Sequence, residues 1–367
     1  MRVYTCSHCN NLLYFENNIC LKCNFSLGFD ASTLSMITLV SENGGQYANI
    51  QDKKQKFNYC KNAAYSTCNW LIPIDHESEF CQACDLNRII PDLTQKKNMK
   101  LWKNIEAAKH RLVYALIRLG LPVNRKIGNE EEGIAFDFLA EISPAEKVLT
   151  GHDQGTVTLN INEADEGERV KHKAELGERY RTLLGHFRHE IGHYYWEVLI
   201  KDSALLENYR ALFGDERLDY SEALKIHYAN GAPANWSENY ISSYATSHSW
   251  EDWAETWAHY LHLMDTLETA FSFRINIQPE TELAVKGTEA NIKYDPYEIA
   301  DFEKIFKSWL PLTFAVNSLS RSMGYADFYP FIIPEPVVKK LQFIHDLCKT
   351  QNFQISNVKK KPEEQLS

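Results

Sequence analysis

Eight of the nine cysteines in this 367-residue chain fall before residue 85, and their spacing restricts what the N-terminal quarter can become. Cys6-Ser7-His8-Cys9 is followed by Cys20-Leu21-Lys22-Cys23. Two thiolates separated by two residues can turn back onto one ion, and two such pairs complete a tetrahedral four-cysteine site with bonds of about 2.3 Å. This first set predicts a zinc ribbon. A second set, Cys60, Cys68 and the pair Cys81-Gln82-Ala83-Cys84, predicts another four-cysteine zinc site, although its leading pair is spaced Cys-x7-Cys. His8 lies inside the first knuckle but is left out, because four sulfurs already satisfy the ion. The competing reading is a disulfide framework. The first residues carry no apolar core of an export signal, so the expected compartment is the reducing cytoplasm, where disulfides do not persist. Cys348 stands alone in a stretch of helical apolar spacing and reads as a packed small hydrophobe.

Charge narrows the partners. The formal net charge is -10, and the first hundred residues hold ten basic and nine acidic side chains. A ribbon that gripped nucleic acid would be more basic, so a protein partner is the expectation and nucleic acid is not. Tyr14, Phe15, Phe25, Phe29 and Trp70 read as a small core that metal must help to stabilise. No apolar run reaches the ~18 residues needed to cross a bilayer.

Past the cysteines, apolar residues at Ile105, Leu112, Ala115, Leu116 and Leu119 recur at helical spacing, and Gly120-Leu121-Pro122 ends that helix. Residues 133–139 and 156–162 alternate and read as strands; the second is a candidate edge for an extended peptide. Residues 163–200 read as mostly helical, with Gly177 and Gly185 as candidate breaks, and further helices are expected near 215–229, 250–270, 298–323 and 335–349. Strands followed by many helices predict an α+β protein. The expected organisation is a ribbon module with two four-cysteine sites over residues 1–100, a mainly helical domain with a small sheet over 101–350, and a flexible tail over 351–367.

The chemistry is concentrated in His189-Glu190-Ile191-Gly192-His193. On a helix, residues four apart share a face, so both imidazoles can reach one metal while Glu190 points toward where an activated water would sit. The aromatic and apolar flanks, Leu183-Leu184-Gly185 before and Tyr194-Tyr195-Trp196 after, predict burial, and buried imidazoles need a partner. His186, three residues before His189, reads as structural or as support behind a metal ligand. A catalytic zinc takes a third protein ligand and keeps an open position. Candidates lie in residues 249–260, where Trp253, Trp257, Tyr260 and Leu261 make a buried stripe and Glu251, Glu255 and His259 follow one edge of it. Ser249 is the expected cap of that helix. Asp137, His152 and Asp165 are weaker candidates, with no informative spacing.

These residues resemble the gluzincin metallopeptidases, in which a later helix supplies a glutamate ligand and an acidic residue four positions on orients a ligand histidine. Glu251 and Glu255 match that pattern. In the lethal-factor-like branch, a tyrosine seven residues before the glutamate stabilises the oxyanion, and Tyr244 holds that position. Almost the whole chain is similar to a zinc-binding metallopeptidase family with an N-terminal zinc ribbon. The shared words are Cys68-Asn69-Trp70-Leu71, Ile90-Pro91-Asp92-Leu93, Leu149-Thr150-Gly151-His152, the run from Tyr180 to Glu190, Phe213-Gly214-Asp215-Glu216-Arg217 and the run from Trp250 to His262. Ser249 departs from an expected proline. The resemblance implies a catalytic zinc on His189, His193 and Glu251, with Glu255 orienting a ligand histidine, Glu190 as general base and Tyr244 as electrophilic helper. With the two cysteine sites it implies one catalytic and two structural zinc ions, and a peptide or protein substrate. The alternatives are a non-catalytic zinc-ribbon module with a structural inner zinc, binding protein or nucleic acid, and a hydrolase of non-peptide amides.

Overall fold

After each Cys-x2-Cys pair of the first set comes an asparagine in the left-handed region, Asn10 at φ 57° and Asn24 at φ 61°. Asparagine tolerates that region better than most residues. Each returns its N–H to the carbonyl of the first cysteine of its pair, Asn10 to Cys6 at 2.9 Å and Asn24 to Cys20 at 2.8 Å. That closes the two knuckles. The geometry comes from a computed structural model that describes residues 1–128, 133–141, 148–167, 182–280 and 286–358, the last eight as backbone alone. The chain is α+β and divides into two units, one of residues 1–114 and 123–172, the other of 115–122 and 173–367.

In the first unit, β1 (Tyr4–Thr5) pairs antiparallel with β2 (Leu12–Leu13). An antiparallel meander follows, made of β3 (Ser26–Asp30), β4 (Ser35–Ser41), β5 (Tyr47–Asn49), β6 (Lys56–Tyr59) and β7 (Leu71–Pro73). A bridge between Phe29 and Trp70 draws β3 toward the start of β7. Gly28 permits the approach, since a Cβ there would stand 2.3 Å from Leu71 Cδ2. The rings of Phe15, Phe29, Trp70 and Tyr114 pack on one another, with Phe15 and Phe29 4.8 Å apart and Phe29 and Trp70 4.9 Å apart. Of the aromatics expected in this core, Tyr14 is instead exposed.

The same unit holds β8 (Asn87–Ile89), most of α1 (Lys96–Arg118), β9 (Ala135–Leu139), β10 (Gly151–Asp153) and β11 (Thr156–Asn160). The sheet order is β10-β11-β9-β8, with β8, β9 and β11 parallel and β10 antiparallel to β11. This corrects the edge reading of residues 156–162. β11 pairs with β9 over Thr156–Asn160 and with β10 over residues 156–158, so it is an interior strand. It also stops at Asn160, whose side chain accepts from Asn162 N–H at 3.0 Å and starts a 3-10 turn. The weaker candidates have local work here. Asp137 accepts from Arg88 Nε at 2.9 Å, His152 Nε2 accepts from Gly155 N–H at 2.8 Å, and Asp165 accepts from Gly167 N–H at 2.9 Å.

The second unit is helical: α2 (Leu183–Leu199), α3 (Leu206–Phe213), α4 (Tyr220–Asn230), α5 (Ser249–Ser272), α6 (Phe302–Ser322) and α7 (Glu335–Val358), with a hairpin of β12 (Asn276–Ile277) and β13 (Ala290–Asn291). The helix expected near 215–229 is α4, which starts at Tyr220, and the unexpected α3 before it ends at Gly214 with φ 99°. Gly185 is no break: its N–H is capped by Thr182 Oγ1 at 2.9 Å in the first turn of α2. Gly177, with Tyr180 and Arg181, lies outside the described residues, as do residues 359–367.

α2 and α5 cross closely, and Gly192 is the contact. A Cβ there would meet Ala254 Cα and Trp257 at 3.2 Å. Trp253 Nε1 donates to the Gly192 carbonyl at 2.8 Å, and Tyr195 stacks on Trp257 at 5.2 Å. A buried pair, Arg188 with Asp265, joins the same two helices, and Tyr297 donates to the second Asp265 oxygen at 2.8 Å. The crossing sets His189 and His193 against the first turns of α5.

Candidate metal centres and active site

The four sulfurs of Cys6, Cys9, Cys20 and Cys23 converge, as do those of Cys60, Cys68, Cys81 and Cys84. Cys6 and Cys23 are 3.6 Å apart, Cys9 and Cys20 3.6 Å, and Cys68 and Cys81 3.7 Å. Zinc–sulfur bonds of about 2.3 Å give a tetrahedral edge of about 3.8 Å, so both sets fit zinc. Backbone N–H groups already support the second set, from Trp70 to Cys68 and from Cys81 to Cys60, each at 3.3 Å. His8 stacks on Phe25, ring centroids 4.4 Å apart.

In the second unit, ligand atoms of His189, His193 and Glu251 lie together in a buried group. His189 Nδ1 is 2.7 Å from Glu255 Oε1, and Ser242 donates to the other Glu255 oxygen at 2.6 Å. With its Nδ1 proton given to Glu255, a neutral His189 ring presents only a lone pair at Nε2. That atom lies 3.0 Å from Glu251 Oε2, which finds no hydrogen-bond donor. Two lone pairs so close need a proton or a metal ion between them. Burial opposes a charge on His189, but the Glu251 and Glu255 carboxylates outweigh it and drive its proton affinity well above the ordinary value. For Glu251, burial is outweighed by His193, His189 and the Tyr220 phenol, which hold its carboxyl at about 2. His193 Nε2 is 3.7 Å from Glu251 Oε1, and the two imidazole rings are nearly perpendicular. Two nitrogens and one carboxylate oxygen are the donor set of an open zinc site, so the residues fit that ion.

Two phenols face this group. Tyr244, in a 3-10 turn before α5, has its ring 6.0 Å from His189. Tyr220, the first residue of α4, donates to Glu251 Oε1 at 2.6 Å. Burial first, then the Glu251 charge, pushes both hydroxyls far above the usual phenol range, so both remain donors. Glu190, itself buried, adds to both shifts, which sets its charge near the two phenols. Trp250 packs against His193 at 4.1 Å. The helix cap is His248, whose Nδ1 accepts from Trp250 N–H at 3.1 Å, rather than Ser249; the helix starts one residue earlier than expected, leaving Ser249 as its first residue. His259 is turned away from the metal group and meets Tyr329 at 2.8 Å.

Tyr220 and Ser242 carry no motif, and only the folding of α4 and the turn before α5 onto the site reveals them. Glu106 and His110, buried beside Cys84, were also missed; their i, i+4 spacing on α1 was the available signal.

A buried group of two histidines and a glutamate on two crossed helices, in a chain with two four-cysteine groups, agrees with what comparison finds. The chain belongs to the family described as "Putative zinc-binding metallo-peptidase", whose model matches residues 98–347. A zinc-ribbon domain matches residues 3–95. Uncharacterised proteins of Mycobacterium tuberculosis (strain ATCC 25618 / H37Rv) and of Mycobacterium bovis (strain ATCC BAA-935 / AF2122/97) are each 38% identical over 346 residues, 94% of this chain and 94% of theirs. No solved structure matches the chain. Among the described residues, no helix is long and apolar enough to cross a membrane.

Proposed function

We propose that this chain is a zinc-dependent peptidase whose general base is Glu190 and whose metal ligands are His189, His193 and Glu251. The observation that carries the reading is the 3.0 Å approach of His189 Nε2 to Glu251 Oε2 while Glu255 occupies His189 Nδ1. A zinc ion bound there supplies Lewis acidity, easing deprotonation of water and polarising a scissile carbonyl. Glu190 accepts the proton from the attacking water and delivers it to the leaving amine. Tyr244 donates to the developing oxyanion, where one well-aimed donor is worth about 2.7–4 kcal/mol. Glu255, held by Ser242, fixes the His189 tautomer, and Tyr220 holds Glu251 Oε1 so that Oε2 stays turned to His189. The two cysteine sites hold structural zinc, and the near-neutral ribbon recruits a protein.

The test joins metal analysis to digestion of an unbiased peptide library. Cleavage should stop on chelation and return with zinc. Glu190→Gln should keep the fold and the inner zinc yet lose hydrolysis by several orders of magnitude. Full activity in that variant removes the mechanism, and a metal-loaded wild type that cleaves nothing favours the binding module instead.

A further inference from the structure

Three consecutive-turn residues of α1, Glu106, Lys109 and His110, are buried beside the second cysteine set, with exposures of 0%, 0% and 4%. Ionisable groups so enclosed must be paired or must hold an ion. Glu106 takes Lys109 Nζ at 3.0 Å on both carboxylate oxygens, and its Oε1 also accepts from Asn87 Nδ2 at 2.8 Å. Its other oxygen, Oε2, turns to Cys84 Sγ at 3.6 Å. His110 Nδ1 lies 2.6 Å from the Glu106 carbonyl one turn back, so it carries the ring proton. That leaves the Nε2 lone pair 3.6 Å from Cys84 Sγ and 4.0 Å from Cys81 Sγ.

A free Cys84 thiol satisfies this arrangement by donating S–H to Oε2. Once one metal takes the four sulfurs, that proton is gone. A thiolate, a carboxylate oxygen and an imidazole lone pair then face one another within 4.8 Å. The charge is unbalanced too. Four thiolates and Glu106 bring five negative charges, whereas one dication and Lys109 bring three positive. The remaining two sit in a site where all but Cys68 of these groups are buried, and a second dication cancels them.

We propose that Cys84, Glu106 and His110 hold a second divalent cation of the zinc class, with the Cys84 thiolate bridging it to the ion in the Cys60, Cys68, Cys81 and Cys84 set. The nitrogen, sulfur and oxygen donors suit zinc, and the site makes this half of the ribbon unit binuclear. α1 thereby becomes part of the metal scaffold, which explains why a helix outside the cysteine pattern buries a glutamate and a histidine together. The peptidase reading is independent of this centre, since none of its residues is shared.

The competing arrangement places protons on His110 Nε2 and Glu106 and reaches the same net charge with one metal. X-ray absorption at the zinc edge separates the two on the wild-type full-length chain, refolded with excess zinc and dialysed. The binuclear centre gives a zinc–zinc vector of about 3.5–4 Å, the range of paired-metal sites. His110→Ala and Glu106→Gln should each lose one zinc equivalent and that vector, whereas His193→Ala should lose one equivalent and keep it. A wild-type spectrum without the vector overturns the proposal by itself, even if a variant fails to fold, and so does equal zinc content in wild type and Glu106→Gln.

Discussion

At the residue scale, the inner site depends on which lone pairs are left over. Glu255 removes one donor position of His189, and Tyr220 occupies one oxygen of Glu251. What remains at Nε2 and Oε2 is aimed at a shared point. This assigns different outcomes to the two glutamates. Glu251→Ala should abolish zinc binding at the inner site, whereas Glu255→Ala should weaken it by about 10–100-fold, the usual cost of losing a residue behind a ligand. Zinc titration of both variants checks this, and the reverse order would exchange their roles. Tyr220→Phe belongs with Glu255. It should lower zinc affinity over the same range of about 10–100-fold, because the Glu251 carboxyl loses its phenol donor. Spacing combined with resemblance singled out both glutamates, and the structure groups Glu251 with the two imidazoles and sets Glu255 on His189 Nδ1. Tyr220 was not legible, because a phenol 31 residues upstream gives no periodic signal; its role exists only once α4 folds over the site.

At the element scale, the site is a product of one helix crossing. α2 reaches α5 only because Gly192 has no side chain, so the variable position within the histidine motif is structurally demanding. Gly192→Ala should destabilise the chain by about 1–3 kcal/mol, as overpacking of a close contact does, despite its better helix propensity. Chemical denaturation followed by tryptophan fluorescence reads this directly, since Trp253 and Trp257 lie in the crossing. An unchanged or raised stability would mean that the helices can separate without cost. The buried stripe Trp253, Trp257, Tyr260 and Leu261 was readable from helical periodicity, and all four are buried. The cap was misread by one residue because a histidine serves as acceptor where serine is the commoner choice. The edge reading of 156–162 failed for a different reason. Alternation reports a strand with two unlike faces and says nothing about how many neighbours it pairs with.

At the scale of the whole molecule, the two units rest on different physics. The first has a modest aromatic core and two four-sulfur groups, whereas the second buries long amphipathic helices. Chelation should therefore act unevenly. A strong zinc chelator should make the eight N-terminal thiols titratable, while Cys348 stays masked until denaturant is added. Cys348 is buried in α7, and burial pushes its thiol up to about 12. Counting reactive thiols before and after chelation and then in denaturant checks this, and release of a ninth thiol by chelator alone would show that the helical unit also depends on metal. The sequence by itself determined the cysteine knuckles, the histidine helix and the aromatic stripe, because each is written in spacings shorter than about two helical turns. Only the tertiary structure decided that Tyr220 and Ser242 serve Glu251 and Glu255, that β11 is interior, and that Glu106 and His110 close on Cys84. These join residues far apart in the chain, and packing rather than local periodicity brings them together.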